Sequence, residues 1–467
     1  MVNFSTNPKR NQLNEEVPQL PPEAKVSEEL GLDACPWLDT YVDFSRIWSP
    51  ESYDGYHEAC GLFILSTVAA GRVAFDLSGQ RKTNLNLLLI GRTSIHAKST
   101  ASTIAKDLLV EADLGWLLAP DETTPQKLIA DMSTNELPAN FNELHDRERE
   151  IAIFKGLTVG QRGWIVDEFG DSIAAMHQPN GIMAGLRGLI RTLDGAPETY
   201  EYKTITRGQN LIRNPYLPIL GNLTIADLVP FAQQGASIFT DGFLARFATP
   251  TPPSGFLGFG RFPNRQRIFP ASLISPIQEW NRLLGFPQSE IANLKKDPVL
   301  NFEPMSPIRL VIAVDVYEAF YKYHNALRIF ILQNTNHDLD GNYARFPEKA
   351  MRIAALFASF ESSETIELRH WAKAQAITER WRVDLHHLYQ QLVENSGSQS
   401  ARFIKNLPIE DQIIRAIGIK KMANLREISQ FTGLKKGLLE PAITKLASDN
   451  KIVRINDNGG EQFILSE

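Results

Sequence analysis

Leu85, Leu87, Leu88, Leu89 and Ile90 form a short apolar run, the pattern of a strand buried on both faces of a parallel sheet. Gly91 breaks it. Small and polar residues follow, and then Ile104, Ala105, Leu108 and Leu109 recur at helical spacing. Residues 163–166 and 218–224 are two more short apolar runs, which predict two more core strands. Ala59, Leu62, Phe63, Leu65 and Ala69 crowd residues 50–70 into a helix, residues 72–77 read as β with a turn at Ser78-Gly79, and residues 115–118 read as a short strand. Thr124 before Pro125 marks a helix start. Residues 135–155 are polar and mixed in sign, an insertion before the strand at 163–166. Residues 181–193 predict a helix, and 199–212 a hairpin around Arg207-Gly208-Gln209-Asn210. From Pro270 the pattern turns largely helical, with amphipathic stretches at 314–333, 343–360 and 367–393.

The last stretch has its own rhythm. Helices at 409–417, 425–431 and 434–448 are followed by β runs at 452–455 and 462–465. Pro441 argues that the third helix begins near Leu439, because an interior proline costs about 3 kcal/mol. Three helices and a hairpin make a winged helix-turn-helix, whose basic edge (Lys435, Lys436, Lys445, Lys451, Arg454) suits either DNA or a subunit or partner contact. The expected organisation is therefore α/β. A flexible arm occupies 1–40. A P-loop NTPase core with a central parallel sheet and a preceding helix follows at 41–270, then an α-helical lid or bundle at 271–398 and a winged helix at 405–467.

Charge and composition narrow the function. The chain has 467 residues and a formal net charge of −6, so any nucleic-acid contact must come from a local patch or a ring of subunits. Two cysteines, Cys35 and Cys60, exclude a disulfide framework or a zinc cluster and fit a reducing cytoplasm. Residues 1–14 are polar, unlike a signal peptide, and no apolar run approaches the roughly 20 residues of a membrane span.

Candidate chemistry follows the strands. Gly91, then Ala97-Lys98-Ser99-Thr100 opening a helix, builds a phosphate cradle: loop amides and a helix N-terminus face the polyphosphate, Lys98 adds charge, and Ser99 can hold Mg²⁺. The spacing is one residue longer than usual, and Ala97 stands where glycine belongs, a strained choice if φ is positive. Asp167-Glu168 end the next core strand, Asp167 suited to the Mg²⁺ shell and Glu168 to deprotonating water. Asn222, with Thr224 second, is the polar residue at the end of the 218–224 strand that could touch the γ-phosphate or the water. Arg246 is either an arginine reaching the γ-phosphate of its own or a neighbouring subunit, or a structural arginine paired with a core acid. Arg345 and Arg352 pose the same choice. Residues 255–267, rich in Gly, Phe and Arg, are either a basic nucleic-acid contact or a connector.

Together with Gly221-Asn222-Leu223-Thr224, Gly242-Phe243-Leu244-Ala245-Arg246-Phe247 and Tyr343-Ala344-Arg345-Phe346-Pro347, these motifs resemble one family: the helicase-like P-loop ATPases of bacteria, phages and plasmids, often found beside primase-polymerase domains. The resemblance spans residues 45–395, with Gly-Phe-Leu-x-Arg-Phe and Tyr-x-Arg-Phe-Pro its more specific parts. It implies an ATPase linked to replication or mobile-element DNA. The strand-ordered residues and the winged helix extend that reading to a DNA-linked, helicase-like ATPase using ATP and Mg²⁺, assembled as a homo-oligomeric ring and serving replication, mobile-element or defence DNA, with a replication or defence partner protein; the lack of a long apolar run speaks against a membrane. The alternative, suggested by Ala97 and the spacing, is a non-hydrolysing scaffold that binds DNA or a partner protein through the winged helix.

Overall fold

Two helices stand before the first strand: α1 (Pro36–Trp48), and α2 (Asp54–Ala69), which is buried on nearly every face. The strands β1 (Val73–Asp76), β2 (Gln80–Lys82) and β3 (Asn86–Ile90) follow. Helices α3 (Lys98–Glu111), α4 (Pro125–Ser133) and α5 (Asp146–Leu157) lead to β4 (Trp164–Val166). Then come α6 (Phe169–Met176), α7 (Leu186–Asp194), the antiparallel pair β5 (Thr199–Thr204) and β6 (Gly208–Arg213), β7 (Ile219–Leu223), α8 (Ile225–Gln233) and β8 (Phe247–Ala248). This computed structural model describes residues 17–134, 136–176, 183, 185–204, 208–233, 239, 242–292, 298–303, 305–333, 337–395, 409–420, 423–432, 434–449, 451–457 and 460–465. The tip of the expected hairpin and the first residues of the helix expected over 181–193 lie outside them.

The fold is mixed α/β. Its central sheet is parallel and four-stranded, in the order β4-β7-β3-β8. β3 and β7 are buried along their whole length, as strands covered on both faces must be. α2 packs against β3, β7 and α3, and so floors the loop that follows β3. The expected strand at 115–118 is instead a 3-10 turn (Gly115–Leu117) followed by one parallel bridge, Leu118 to Gly163, at the β4 edge.

Two expectations about organisation are corrected. The arm does not stay flexible from Val17 on. Val26 N donates to Gln375 Oε1 at 2.8 Å, Arg382 Nη2 donates to Pro18 O at 2.8 Å, and α1 begins at Pro36. The stretch after 270 is not purely helical. Besides the helices Ala271–Leu284, Val314–Gln333, Phe346–Phe360 and Leu368–Asn395, it contains β9 (Ser289–Ala292), β10 (Val299–Phe302), β11 (Ile308–Ile312) and β12 (Thr365–Ile366). β11 pairs in parallel with both β1 and β12, completing a sheet in the order β12-β11-β1-β2. A shared sheet cannot be a domain boundary, and Met1–Leu228 with Ala236–Tyr389 form one compact unit. The polar insertion carries α5, whose Leu157 joins Leu137, Phe141 and Leu300 of β10 in a small separate core.

The second unit comprises Val229–Gly235 and Gln390–Glu467. In it the helices Ile409–Lys420, Leu425–Thr432 and Lys436–Ser448 enclose Ile413, Ile417, Ile428, Leu439, Ile443 and Phe463. β13 (Ala423–Asn424), β14 (Ile452–Asp457) and β15 (Gly460–Leu465) form an antiparallel sheet with β15 in the centre. The third helix begins at Lys436, not near Leu439, and takes Pro441 inside. Pro441 is the sixth residue of this helix, and its missing N–H leaves the carbonyl of Gly437 without its intrahelical donor.

Candidate nucleotide site

The loop after β3 is held closed from below. Tyr56 Oη donates to Ile90 O at 2.7 Å, and Gly91 N donates to Leu223 O at 3.2 Å. Gly91 has no room for a side chain, since a Cβ there would lie 2.4 Å from Tyr56 Oη and 2.5 Å from His96 Nδ1. The loop then turns through two left-handed residues, Ser94 (φ 58°) and Ala97 (φ 43°). Ala97 thus adopts the conformation that glycine usually supplies, at a cost of about 1–2 kcal/mol. Ser52 Oγ donates to Ala97 O at 3.0 Å and helps hold it there. α3 starts at the next residue, so the amides of Lys98, Ser99 and Thr100 lack intrahelical acceptors and face the loop.

Lys98 is only 8% exposed, and its Nζ donates to Gly91 O at 2.9 Å and Arg92 O at 3.4 Å. Burial pulls its pKa below the usual lysine range, while the charges of Asp227 and Asp167 oppose that pull. The lysine is therefore curled inside the loop, donating to carbonyls that a phosphate would compete with.

The strand order decides what meets it. β7 lies between β3 and β4, so the carboxyl ends of all three converge. Asp167 Oδ1 accepts from Ser99 Oγ at 3.0 Å and from Asn222 Nδ2 at 3.1 Å. Asn222 Nδ2 also donates to Ser102 Oγ at 2.8 Å, one turn further along α3. Asn222 Oδ1 is buried and finds no partner among the described residues, an acceptor beside a carboxylate of the kind that suits a water molecule. Glu168 is exposed and held at φ 56°, and its carbonyl accepts from Asp171 N at 3.0 Å at the start of α6. Strained non-glycine backbone of this kind concentrates at working sites. The structure therefore brings Gly91, Ala97, Lys98, Ser99, Thr100, Asp167, Glu168 and Asn222 to one edge of the sheet.

Thr224 belongs to a different job. Its Oγ1 accepts from Asp227 N at 3.3 Å and its N donates to Asp227 Oδ2 at 2.6 Å, a reciprocal cap on α8.

Arg246 is not part of this edge. It sits in the 3-10 turn Leu244–Arg246 just before β8, and Phe247 pairs with Asn86, the first residue of β3. That is the amino end of the sheet, about 13 Å along β3 from the loop. There Arg246 Nε lies 3.7 Å from Asp194 Oδ2, Arg345 Nη1 lies 3.1 Å from the same oxygen, and Arg352 Nη1 lies 3.3 Å from Oδ1. Asn86 Nδ2 adds a hydrogen bond to Asp194 Oδ1 at 3.2 Å. The reading of Arg246 as an arginine for its own subunit's γ-phosphate is corrected: it is an ion-pair arginine on a core acid, as are Arg345 and Arg352. The Gly-Phe-Leu-x-Arg-Phe and Tyr-x-Arg-Phe-Pro motifs meet around Asp194, away from Lys98.

Sequence reasoning missed Ser102, Asp227 and His96. Ser102 was signalled by its spacing of three from Ser99 on one helix face, and Asp227 by the Thr-x-x-Asp capping pattern. His96 carried no local signal. Its Nδ1 accepts from Arg92 N at 3.2 Å, and its Nε2 lies 3.2 Å from Phe256 O. Burial holds its pKa below the ordinary histidine value, and because Arg92 N donates to Nδ1, Nε2 is the nitrogen that donates to Phe256 O.

Compared with protein-family models and with curated proteins, the chain matches none. The family resemblance rests on the motifs themselves. Among the described residues no helix is long and apolar enough to cross a membrane.

Proposed function

We propose that the chain binds ATP with Mg²⁺ at the loop after β3 and hydrolyses it, and that this turnover is linked to DNA. The observation that carries the reading is the shared oxygen: Ser99 and Asn222, from two different elements, both bond Asp167 Oδ1 beside Lys98. A hydroxyl and a carboxylate are the hard oxygen donors Mg²⁺ takes when phosphates complete its shell. Ser99 and Asp167 would hold the ion, which supplies charge neutralisation on the phosphates. Lys98 and the first amides of α3 bind phosphate oxygens, Glu168 takes the proton of the attacking water, and Asn222 orients that water through its free Oδ1. Arg246 has no part in the subunit's own site. A ring of copies remains the assembly this reading favours, since the −6 charge leaves nucleic-acid contact to local patches.

The second unit supports the DNA link. Its three helices and wing-like β14–β15 pair have the layout of a winged helix-turn-helix. Lys436 and Lys445 are paired locally, with Glu440 at 3.4 Å and Glu410 at 2.9 Å, and Lys435 and Lys451 are among the other exposed cations of the unit that suit phosphate contact. A second reading, favoured by the strained Ala97, is a non-hydrolysing scaffold that holds DNA or a partner protein through this unit. The test is ATP turnover with and without single-stranded and duplex DNA, for the parent and for a Lys435→Ala, Lys451→Ala double variant. DNA-stimulated turnover that the double variant loses, while basal turnover stays, supports the reading. No turnover under any condition moves the chain to the scaffold reading.

A further inference from the structure

The segment from Gly255 to Ile268 is built to present side chains outward. Phe259 is 85% exposed, Leu257 49% and Phe262 45%, and Arg261 and Arg265 are exposed beside them. The backbone beneath is pinned tightly. A Cβ on Gly258 would lie 2.1 Å from Glu51 O, and one on Gly260 would lie 2.2 Å from Pro50 Cβ, so only glycine permits the contact. The Arg265 guanidinium stands 5.7 Å over the Trp48 ring, and the Arg267 guanidinium pairs with Asp107. At its start the segment joins the phosphate loop. Phe256 packs edge-on against Tyr53 and His96, with centroids 5.4 and 5.6 Å apart, and its carbonyl meets His96 Nε2 at 3.2 Å.

Charge says what the surface faces. No Asp or Glu occurs from Gly242 to Gln278, in a chain whose formal net charge is −6, while arginines stand at 261, 265 and 267. An acid-free strip that alternates arginine with exposed phenylalanine fits a polyanion carrying flat, unpaired rings: bases stack on the aromatic faces and phosphates meet the guanidinium groups. A duplex offers only base edges in its grooves, so the exposed Phe259 ring selects single strands.

We infer that Leu257–Arg265 is a contact strap for single-stranded nucleic acid, seated on the nucleotide loop through Phe256 and His96. The inference rests on the nucleic-acid link proposed above and assigns it a place in the first unit. The test uses the full chain and a fluorescein-labelled oligothymidylate, with a matched duplex as comparison, read by anisotropy across a salt series, with solution mass by light scattering. Phe259→Ala should weaken oligothymidylate binding by about tenfold or more, the size of one lost stacking contact. The double variant Arg261→Gln, Arg265→Gln should lower the salt slope by about 1.4, or 0.7 per phosphate contact on a single strand. Both variants should keep the parent's mass and its binding of a fluorescent ATP analogue. Unchanged oligothymidylate affinity, or an equal loss for the duplex, overturns the strap. A fall in mass with affinity retained also overturns it, and makes the strip a contact between copies. A parent that hydrolyses ATP but does not bind oligothymidylate overturns the strap and leaves the nucleotide site standing. A parent that binds through Phe259 without hydrolysing supports the strap and overturns the ATPase reading.

Discussion

Asn222 Nδ2 lies 3.1 Å from Asp167 Oδ1, so β7 ties the acid that follows its neighbour β4 to the start of α3, the helix that follows the loop after β3. The same nitrogen reaches Ser102 Oγ at 2.8 Å, which makes Asn222 the crosspiece of the site. Replacing it with Leu, similar in size, leaves Asp167 with one fewer donor. We expect Asn222→Leu to cost about 1–3 kcal/mol of stability by urea unfolding. Turnover should fall at least tenfold, with nucleotide affinity changed much less. An unaltered rate would remove Asn222 from the chemistry.

Ala97 carries strain that glycine would relieve. Ala97→Gly removes a left-handed penalty of about 1–2 kcal/mol and adds unfolded-state freedom worth about 0.4–1 kcal/mol. The net expectation is a gain of about 0 to 1.6 kcal/mol, with nucleotide binding kept or improved. A loss of stability would show that the loop needs the Ala97 methyl group.

Asp194 is 5% exposed and faces Arg246, Arg345 and Arg352. Asp194→Asn leaves those cations without their shared counterion, and breaking a buried pair on one side costs about 3–5 kcal/mol. Arg246→Ala should leave nucleotide affinity unchanged, because Arg246 stands at the other end of β3. A large loss of affinity in Arg246→Ala, without unfolding, would contradict that placement.

Acid should unfold the first unit through its buried histidines. Tyr343 Oη bonds His386 Nε2 at 2.6 Å, and burial pushes the His386 pKa down to about 4. His57, beside Ser45 at 2.7 Å, is likewise lowered by burial to about 4. An unfolded histidine binds its proton near pH 6.5, so below that pH the unfolded chain holds more protons than the folded one. Stability should be flat above pH 6.5 from these groups and fall as pH drops from 6.5 toward 4. His386→Gln should flatten part of that fall in urea titrations at several pH values; an identical slope would mean that His386 is not buried neutral.

Legibility followed burial. β3 and β7 were readable because central parallel strands are apolar without alternation, and β4, at the edge of the sheet, because all three of its residues are apolar. β11 was not: Ile308, Arg309 and Val311 are exposed, so its sequence reads like the helical stretch around it, and β12 has two residues. Lys98, Ser99, Asp167 and Asn222 were each visible as strand-end chemistry, but their meeting on one oxygen depends on β7 inserting between β3 and β4, a pairing that local pattern does not carry. Arg246 misled for a related reason. Functional side chains follow their strands, whereas Arg246 precedes β8, and a two-residue strand leaves little in the sequence to mark which end of the sheet it occupies.

The most direct test of the account is binding and turnover of ATP with Mg²⁺ by the parent chain, Lys98→Ala and Glu168→Gln, measured side by side. The account predicts that the parent turns over, that Lys98→Ala loses affinity, and that Glu168→Gln binds as tightly as the parent while its turnover falls by a hundredfold or more. Glu168→Gln hydrolysing at the parental rate, or Lys98→Ala binding ATP as the parent does, would contradict it.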